Sequence, residues 1–153
     1  MPTSDINAFF EVLSYAECID CLQKEEVGRL AWISDGQPTI VPVNYAWDGE
    51  AAVMRSDPGL KLNELRDADV AFEIDRIDRA RKEGWSVVIR GRAQEVSVDD
   101  WPPHALPPDQ LYLRPWAPGA KLHWVRLVPS VVTGRRISRV TEADTNPFWF
   151  VSS

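Results

Sequence analysis

Residues 27–56 read VGRLAWISDGQPTIVPVNYAWDGEAAVMRS. Two Asp-Gly pairs, Asp35-Gly36 and Asp48-Gly49, divide this stretch into three runs rich in β-branched and aromatic residues: Val27 to Ser34, Pro38 to Trp47, and Ala51 to Ser56. Asp-Gly supplies the positive φ that primed hairpin turns require, so the pattern predicts three strands joined by two tight hairpins. Downstream, Pro58-Gly59 marks a turn into a short helical stretch from Lys61 to Arg66. Val70, Phe72 and Ile74 then alternate with Ala71, Glu73 and Asp75, the period of a half-buried strand. Gly84 to Val98 reads as a long strand with Val87, Ile89 and Ala93 on one face and Arg90, Arg92 and Gln94 on the other, and Gly91 in its middle predicts a bend or bulge. His123 to Val132 is the last strand. Upstream, Ser14 and Glu17 have the spacing of a capping box for a helix over about residues 14–24. Six short strands with little helix between them exclude a parallel βαβ sheet and predict a mainly β fold, a six-stranded antiparallel barrel with a few short helices. Side chains fill the interior of so small a barrel, so a binding site belongs on its outside or against a partner, which favours a dimer.

The 153 residues fit one domain, 1–153, with a core over about 14–140 and a C-terminal tail, 141–153. A chain that is 44% hydrophobic and 26% charged has enough apolar surface for a packed core, which excludes disorder along its whole length. The net charge of −6 argues against a general nucleic-acid binder, which needs clustered Lys and Arg to displace phosphate counterions. That charge is unevenly spread. Residues 1–75 hold 15 acids and 5 bases and residues 76–153 hold 8 acids and 12 bases, so one face is suited to small anions. No apolar run approaches the roughly 18 residues of a membrane span, and the first residues lack the basic start and apolar stretch of a signal peptide. These features predict a cytoplasmic protein without a membrane partner. Seven Trp and twelve Pro are an unusual endowment, and six of the Pro lie with Trp101, Tyr112 and Trp116 between Asp99 and Ala120, which predicts a stiff aromatic excursion.

Candidate chemistry is sparse. Cys18 and Cys21 have C-x-x-C spacing, but His104 and His123 offer no matching ligand pair, so the two thiols read as small buried residues beside Ile19 and Leu22, and no metal is expected. Arg55, Ser56 and Lys61 run from a strand end through a turn into a helix start, a set that suits a phosphate dianion and equally matches ordinary surface charges. Pro42, followed by Val43, Asn44 and Tyr45, marks an edge strand, since Pro cannot donate to a neighbouring ladder. Trp85, beside Ser86, and Trp116 are open to two readings, core packing or stacking on a heteroaromatic ligand. Arg126, Arg135, Arg136 and Arg139 read as a solvated strand face. No Gly-rich phosphate loop is present, and neither His has a nearby Ser or Cys in sequence.

Taken in order, Glu17-Cys18, Val27-Gly28-Arg29-Leu30-Ala31, Pro42-Val43-Asn44-Tyr45, Gly59 with Lys61, Phe72-Glu73-Ile74-Asp75, Gly84-Trp85-Ser86-Val87-Val88 and Thr133-Gly134-Arg135-Arg136 resemble the pyridoxamine 5′-phosphate oxidase-like flavin-binding proteins, in the branch of the nitroimidazole-resistance-type members. The resemblance spans about residues 14–137. It implies a split β-barrel homodimer with FMN in two clefts at the subunit interface. By position, Arg55, Ser56 and Lys61 match the phosphate-holding segment. Val43, Asn44 and Tyr45 match the strand along the isoalloxazine ring, and Trp85 and Ser86 a neighbouring strand at the same cleft. Trp116 resembles an aromatic reaching the flavin from the second subunit. The substrate-phosphate ligands that the vitamin-forming oxidase carries near its C-terminus have no match here. The implied activity is flavin-mediated hydride or electron transfer to a small-molecule substrate, with the 99–122 excursion selecting it. A non-catalytic module for flavin, a deazaflavin cofactor or haem is the alternative, since relatives with this barrel also bind those groups.

Overall fold

The computed structural model describes residues 8–56, 62–115 and 123–139. The elements are β1 (Ala8–Val12), α1 (Tyr15–Leu22), β2 (Val27–Ser34), β3 (Gln37–Asn44), β4 (Ala46–Trp47), β5 (Ala52–Ser56), α2 (Leu62–Leu65), β6 (Asp69–Asp78), β7 (Glu83–Val96), a 3-10 turn (Pro108–Gln110) and β8 (His123–Arg139). The strands form one sheet ordered β3-β2-β6-β7-β8-β5-β4, with β1 added on β8 and every pairing antiparallel. β3 and β4 are separated in the chain only by Tyr45, yet they stand at opposite ends of this order. Chain continuity therefore curls the sheet until its two ends meet, giving a mainly β barrel split along that seam. No helix among the described residues is long and apolar enough to cross a membrane.

Period-two alternation sorts the side chains. On β2, Leu30 and Trp32 are buried while Ile33 is exposed, and on β7, Val87, Ile89 and Ala93 face inward while Arg90, Arg92 and Gln94 face out. Leu30, Phe72, Ile74, Val87, Ile89 and Leu127 are each at most 1% exposed and form the centre of the core. Burying each such side chain contributes about 1.5–3 kcal/mol. β8 acts as the spine: β7 runs along one edge, while β5 pairs with residues 123–127 and β1 with residues 135–139 on the other.

The first Asp-Gly pair behaves as the sequence predicts. Ser34 pairs with Gln37, and Asp35 and Gly36 take φ of 50° and 73° in a two-residue turn. The second does not form a tight hairpin. Trp47 pairs with Ala52, leaving Asp48 to Ala51 as a longer loop, because the Asp48 carboxylate Oδ1 accepts the amides of Glu50 (2.9 Å) and Ala51 (2.8 Å) and folds the chain around itself. The predicted strand from Pro38 to Trp47 is divided at Tyr45: its amide still donates to Glu26 O (3.0 Å) in the β2–β3 register, and Ala46 and Trp47 then pair with β5. That break and β1 raise the expected six strands to eight. Gly91 marks a bulge as expected: Arg90 pairs with Val131 and Gly91 with Pro129, so Ser130 is the extra residue, and a Cβ on Gly91 would lie 2.1 Å from Val128 O.

Ser14 caps α1 by accepting the Glu17 amide (3.2 Å). Cys18 and Cys21 are 1% and 2% exposed, unbonded to each other, and burial pushes both thiols up. They pack as core residues, as read from the sequence.

Candidate functional site

Arg55 and Ser56 end β5, where strand alternation sends them to opposite faces. Arg55 lies outward against Trp124, its partner in register, with the guanidinium carbon 4.8 Å from the ring centroid. Ser56 is 2% exposed, on the inner side opposite His123. Lys61, expected to complete this set, lies outside the described residues. Of the described residues in this set, the structure therefore leaves the Arg55 guanidinium on the outer face with the donor chemistry a phosphate needs and does not bring the Ser56 hydroxyl beside it.

Of the β3 residues, Val43 packs partly against the core and Asn44 is half-buried opposite Val27. Tyr45, just beyond β3, is 1% exposed; its hydroxyl donates to Leu22 O (2.6 Å), and its ring meets Phe72 edge-on at 5.0 Å. Burial foremost, then the Glu25 charge, push that hydroxyl above the ordinary phenol range. Its side chain is therefore a strut between barrel and α1.

Trp85 and Ser86 sit at the other end of the molecule. Trp85 is half-buried with the Arg76 guanidinium 6.0 Å from its ring, and Ser86 stands between Asp75 and Arg135 in register. Both line an open cleft of about 480 Å³ with Ile77, Lys82, Arg135 and Ile137. On β7, Val96 is the residue level with Trp124 and hence with Arg55. From Trp85 to Val96 the strand contour is roughly 35 Å at about 3.3 Å per residue. One chain thus separates these two parts of the expected cleft. Trp116 lies outside the described residues.

Three polar clusters escaped the sequence reading. Beside Ser56, His123 Nδ1 is 2.6 Å from Glu95 Oε1, while Arg66 donates to Glu95 Oε2 through Nη2 (2.7 Å) and Nε (3.0 Å). These bonds, that of His123 first, hold the Glu95 carboxyl below its usual range. The group lines a cavity of about 620 Å³ with Gln94, Ser97 and Trp124. Arg126, expected on a solvated face, is instead 4% exposed, and its Nε donates to Asp48 Oδ2 (2.7 Å). Its face is not solvated because Trp101 of the Pro-rich segment lies against it, the ring centroid 5.6 Å from the guanidinium carbon. On the outer sheet, Arg29 lies 3.4 Å from Asp75 and 3.7 Å from Glu73, and burial first, then Asp75, push the Glu73 carboxyl up to about 7. Partners 29, 78 and 46 positions apart leave no local pattern to find them by.

The sequence profile for pyridoxamine 5′-phosphate oxidase matches residues 14–136, which takes in α1 and all of the barrel except β1 and the last residues of β8. An uncharacterized protein of Mycobacterium tuberculosis is 33% identical over 127 residues, 79% of this chain and 81% of its own. Among solved structures, a FAD-binding protein from Mesorhizobium loti is 30% identical with a TM-score of 0.69, over 86% of this chain and 99% of its own. The FAD binding protein from Mycobacterium smegmatis is 29% identical with a TM-score of 0.63, over 84% and 98%. With its profile, its barrel and its sequence relatives in agreement, the chain belongs to the pyridoxamine 5′-phosphate oxidase-like family of split-barrel proteins.

Proposed function

We propose that the protein is a flavin-dependent oxidoreductase that works as a homodimer, with each flavin held between two copies. The observation that carries the flavin is that solved relatives at 30% and 29% identity are FAD-binding proteins of nearly the same length. The dimer is supported by the split between the Arg55 end and the Trp85 end of one chain, since an antiparallel second copy would bring opposite ends together. FMN and FAD share the riboflavin 5′-phosphate half, which is the part Arg55 and Lys61 would meet. FMN is the form expected from the resemblance, FAD the form named for the two relatives. The mass of the nucleotide released on denaturation distinguishes them.

When bound, the flavin supplies hydride or electron transfer at its N5. The chain's own contribution is binding and orientation. Arg55 and Lys61 hold the phosphate, backbone groups around Val43 and Asn44 meet the polar edge of the ring, and Trp85 and Ser86 of the other copy close the cleft against water. Trp116 would reach in from that copy as well, and the aromatic excursion forms the wall that selects a small-molecule substrate.

Purified protein is expected to be yellow and to elute as a dimer in light-scattering chromatography. Colourless protein that takes up neither FMN nor FAD would overturn the flavin. Bound flavin that no nicotinamide or deazaflavin donor reduces would leave only a flavin-binding module. A monomer with a full flavin complement would rule out the shared cleft.

A further inference from the structure

We infer that Trp124 and Trp101 are positioning residues for Arg55: a two-ring stack, seated on the buried Asp48–Arg126 pair, fixes the plane of the guanidinium that meets the flavin phosphate. The inference rests on the phosphate reading of Arg55 proposed above.

An Arg at a strand end has a long, rotatable stem, and bidentate recognition of a phosphate requires its planar fork to be held in one orientation. Trp124 lies directly opposite Arg55 in the β5–β8 ladder, 4.8 Å from the guanidinium carbon. A guanidinium over the ring is attracted by the ring quadrupole, which restrains its position without using its N–H groups as donors to the partner. Trp124 is itself held by Trp101, whose ring meets it edge-on at 5.6 Å and 81°.

Trp101 belongs to the Pro-rich excursion, and two contacts of its side chain lead to the same buried pair. Its Nε1 donates to Leu106 O (2.9 Å), and Leu106 N donates to Asp48 O (2.8 Å). The Arg126 guanidinium lies 5.6 Å from the Trp101 ring centroid. Arg126 and Asp48 side chains are 5% and 0% exposed, and their 2.7 Å contact neutralises the cation beneath the stack. Without Asp48, the Arg126 charge would keep only the partly exposed Glu50 at 3.6 Å, at one end of two rings whose other end carries Arg55. His104 adds an outer tie through Glu50 Oε1 (2.7 Å), whose other oxygen is 3.6 Å from Arg126. The excursion is thus also a wedge that sets the guanidinium through two rings.

The test compares Kd for FMN and for riboflavin, which lacks the phosphate, on the full-length protein stripped of bound flavin. Arg55→Ala is expected to weaken FMN by about tenfold or more with little change for riboflavin, the loss of one charge-assisted interaction. Trp124→Leu is expected to reproduce that selectivity at roughly three- to fivefold, with Trp124→Phe restoring most of it. Trp101→Leu, which reaches Arg55 only through Trp124, should give a smaller loss of the same selectivity and serves if Trp124→Leu does not fold. Equal losses for FMN and riboflavin in the Trp variants, with Arg55→Ala still selective, would overturn the positioning role and leave the flavin reading standing. If Arg55→Ala itself shows no selective loss, the phosphate reading underneath it fails.

Discussion

Two charge clusters on the outer side of the sheet use the same chemical groups and are built in opposite ways. Arg126 meets Asp48 at 2.7 Å with both side chains almost wholly buried, and the second oxygen of Asp48 is taken by two backbone amides. Arg29 is shared between Asp75 at 3.4 Å and Glu73 at 3.7 Å, with the three side chains 27–40% exposed. In the first, Asp48 alone is buried with the cation and both of its oxygens have donors, while the second carboxylate, Glu50 at 3.6 Å, is 40% exposed and keeps its water. In the second, two carboxylates compete for one cation. The surplus is relieved by retained water and by a Glu73 carboxyl that holds its proton up to about 7. Each cluster sets two carboxylates around one Arg, and they differ in whether the bonded carboxylate has donors for both oxygens and so can leave water.

The contrast can be broken by substitution. Arg126→Met strands a buried carboxylate and should cost about 3–5 kcal/mol in urea unfolding. Adding Asp48→Asn, which keeps an oxygen for the loop amides while removing the charge, should recover at least about 1 kcal/mol of that loss, a coupling read from the double-mutant cycle. An Arg126→Met no worse than Arg29→Met would end the distinction between the clusters.

Next in size is a pH effect. Between 4.5 and about 7, folded Glu73 keeps a proton that the unfolded chain has released, so its contribution to stability is complete below 4.5 and is lost as pH rises through about 7. Glu73→Gln should flatten this slope of unfolding free energy against pH, and an unchanged slope would assign it to other groups. The smallest effect belongs to Arg29→Met, below about 1 kcal/mol for a partly exposed pair. Because Arg29 draws the Glu73 carboxyl down, the same variant should move the pH-dependent fall to higher pH.

The barrel was legible because its signals are local. Asp35-Gly36 reports its own φ, Val87 to Gln94 alternate within one strand, and Gly91 marks the bulge where it lies. The site was legible only in part. Arg55 was singled out as a candidate from its neighbours in sequence, and its contact with Trp124 depends on a register between residues 69 positions apart. Asp48-Gly49 was read as a tight turn because the dipeptide alone does not show that the Asp48 carboxylate accepts the Glu50 and Ala51 amides. Tyr45 was placed along a ligand by the resemblance, and a strand pattern cannot show that its hydroxyl goes to Leu22 O in α1.

Patterns of two to four residues were enough to give the strand identities, their inward faces and the antiparallel class, since backbone torsions and side-chain alternation are set within that span. The cover over Arg126, the proton on Glu73, the Arg66–Glu95–His123 group and the separation of Trp85 from Arg55 came from the curl of the sheet and the return of the Pro-rich excursion. Burial and charge pairing are properties of what lies across a face, and in this chain those neighbours are supplied by distant segments.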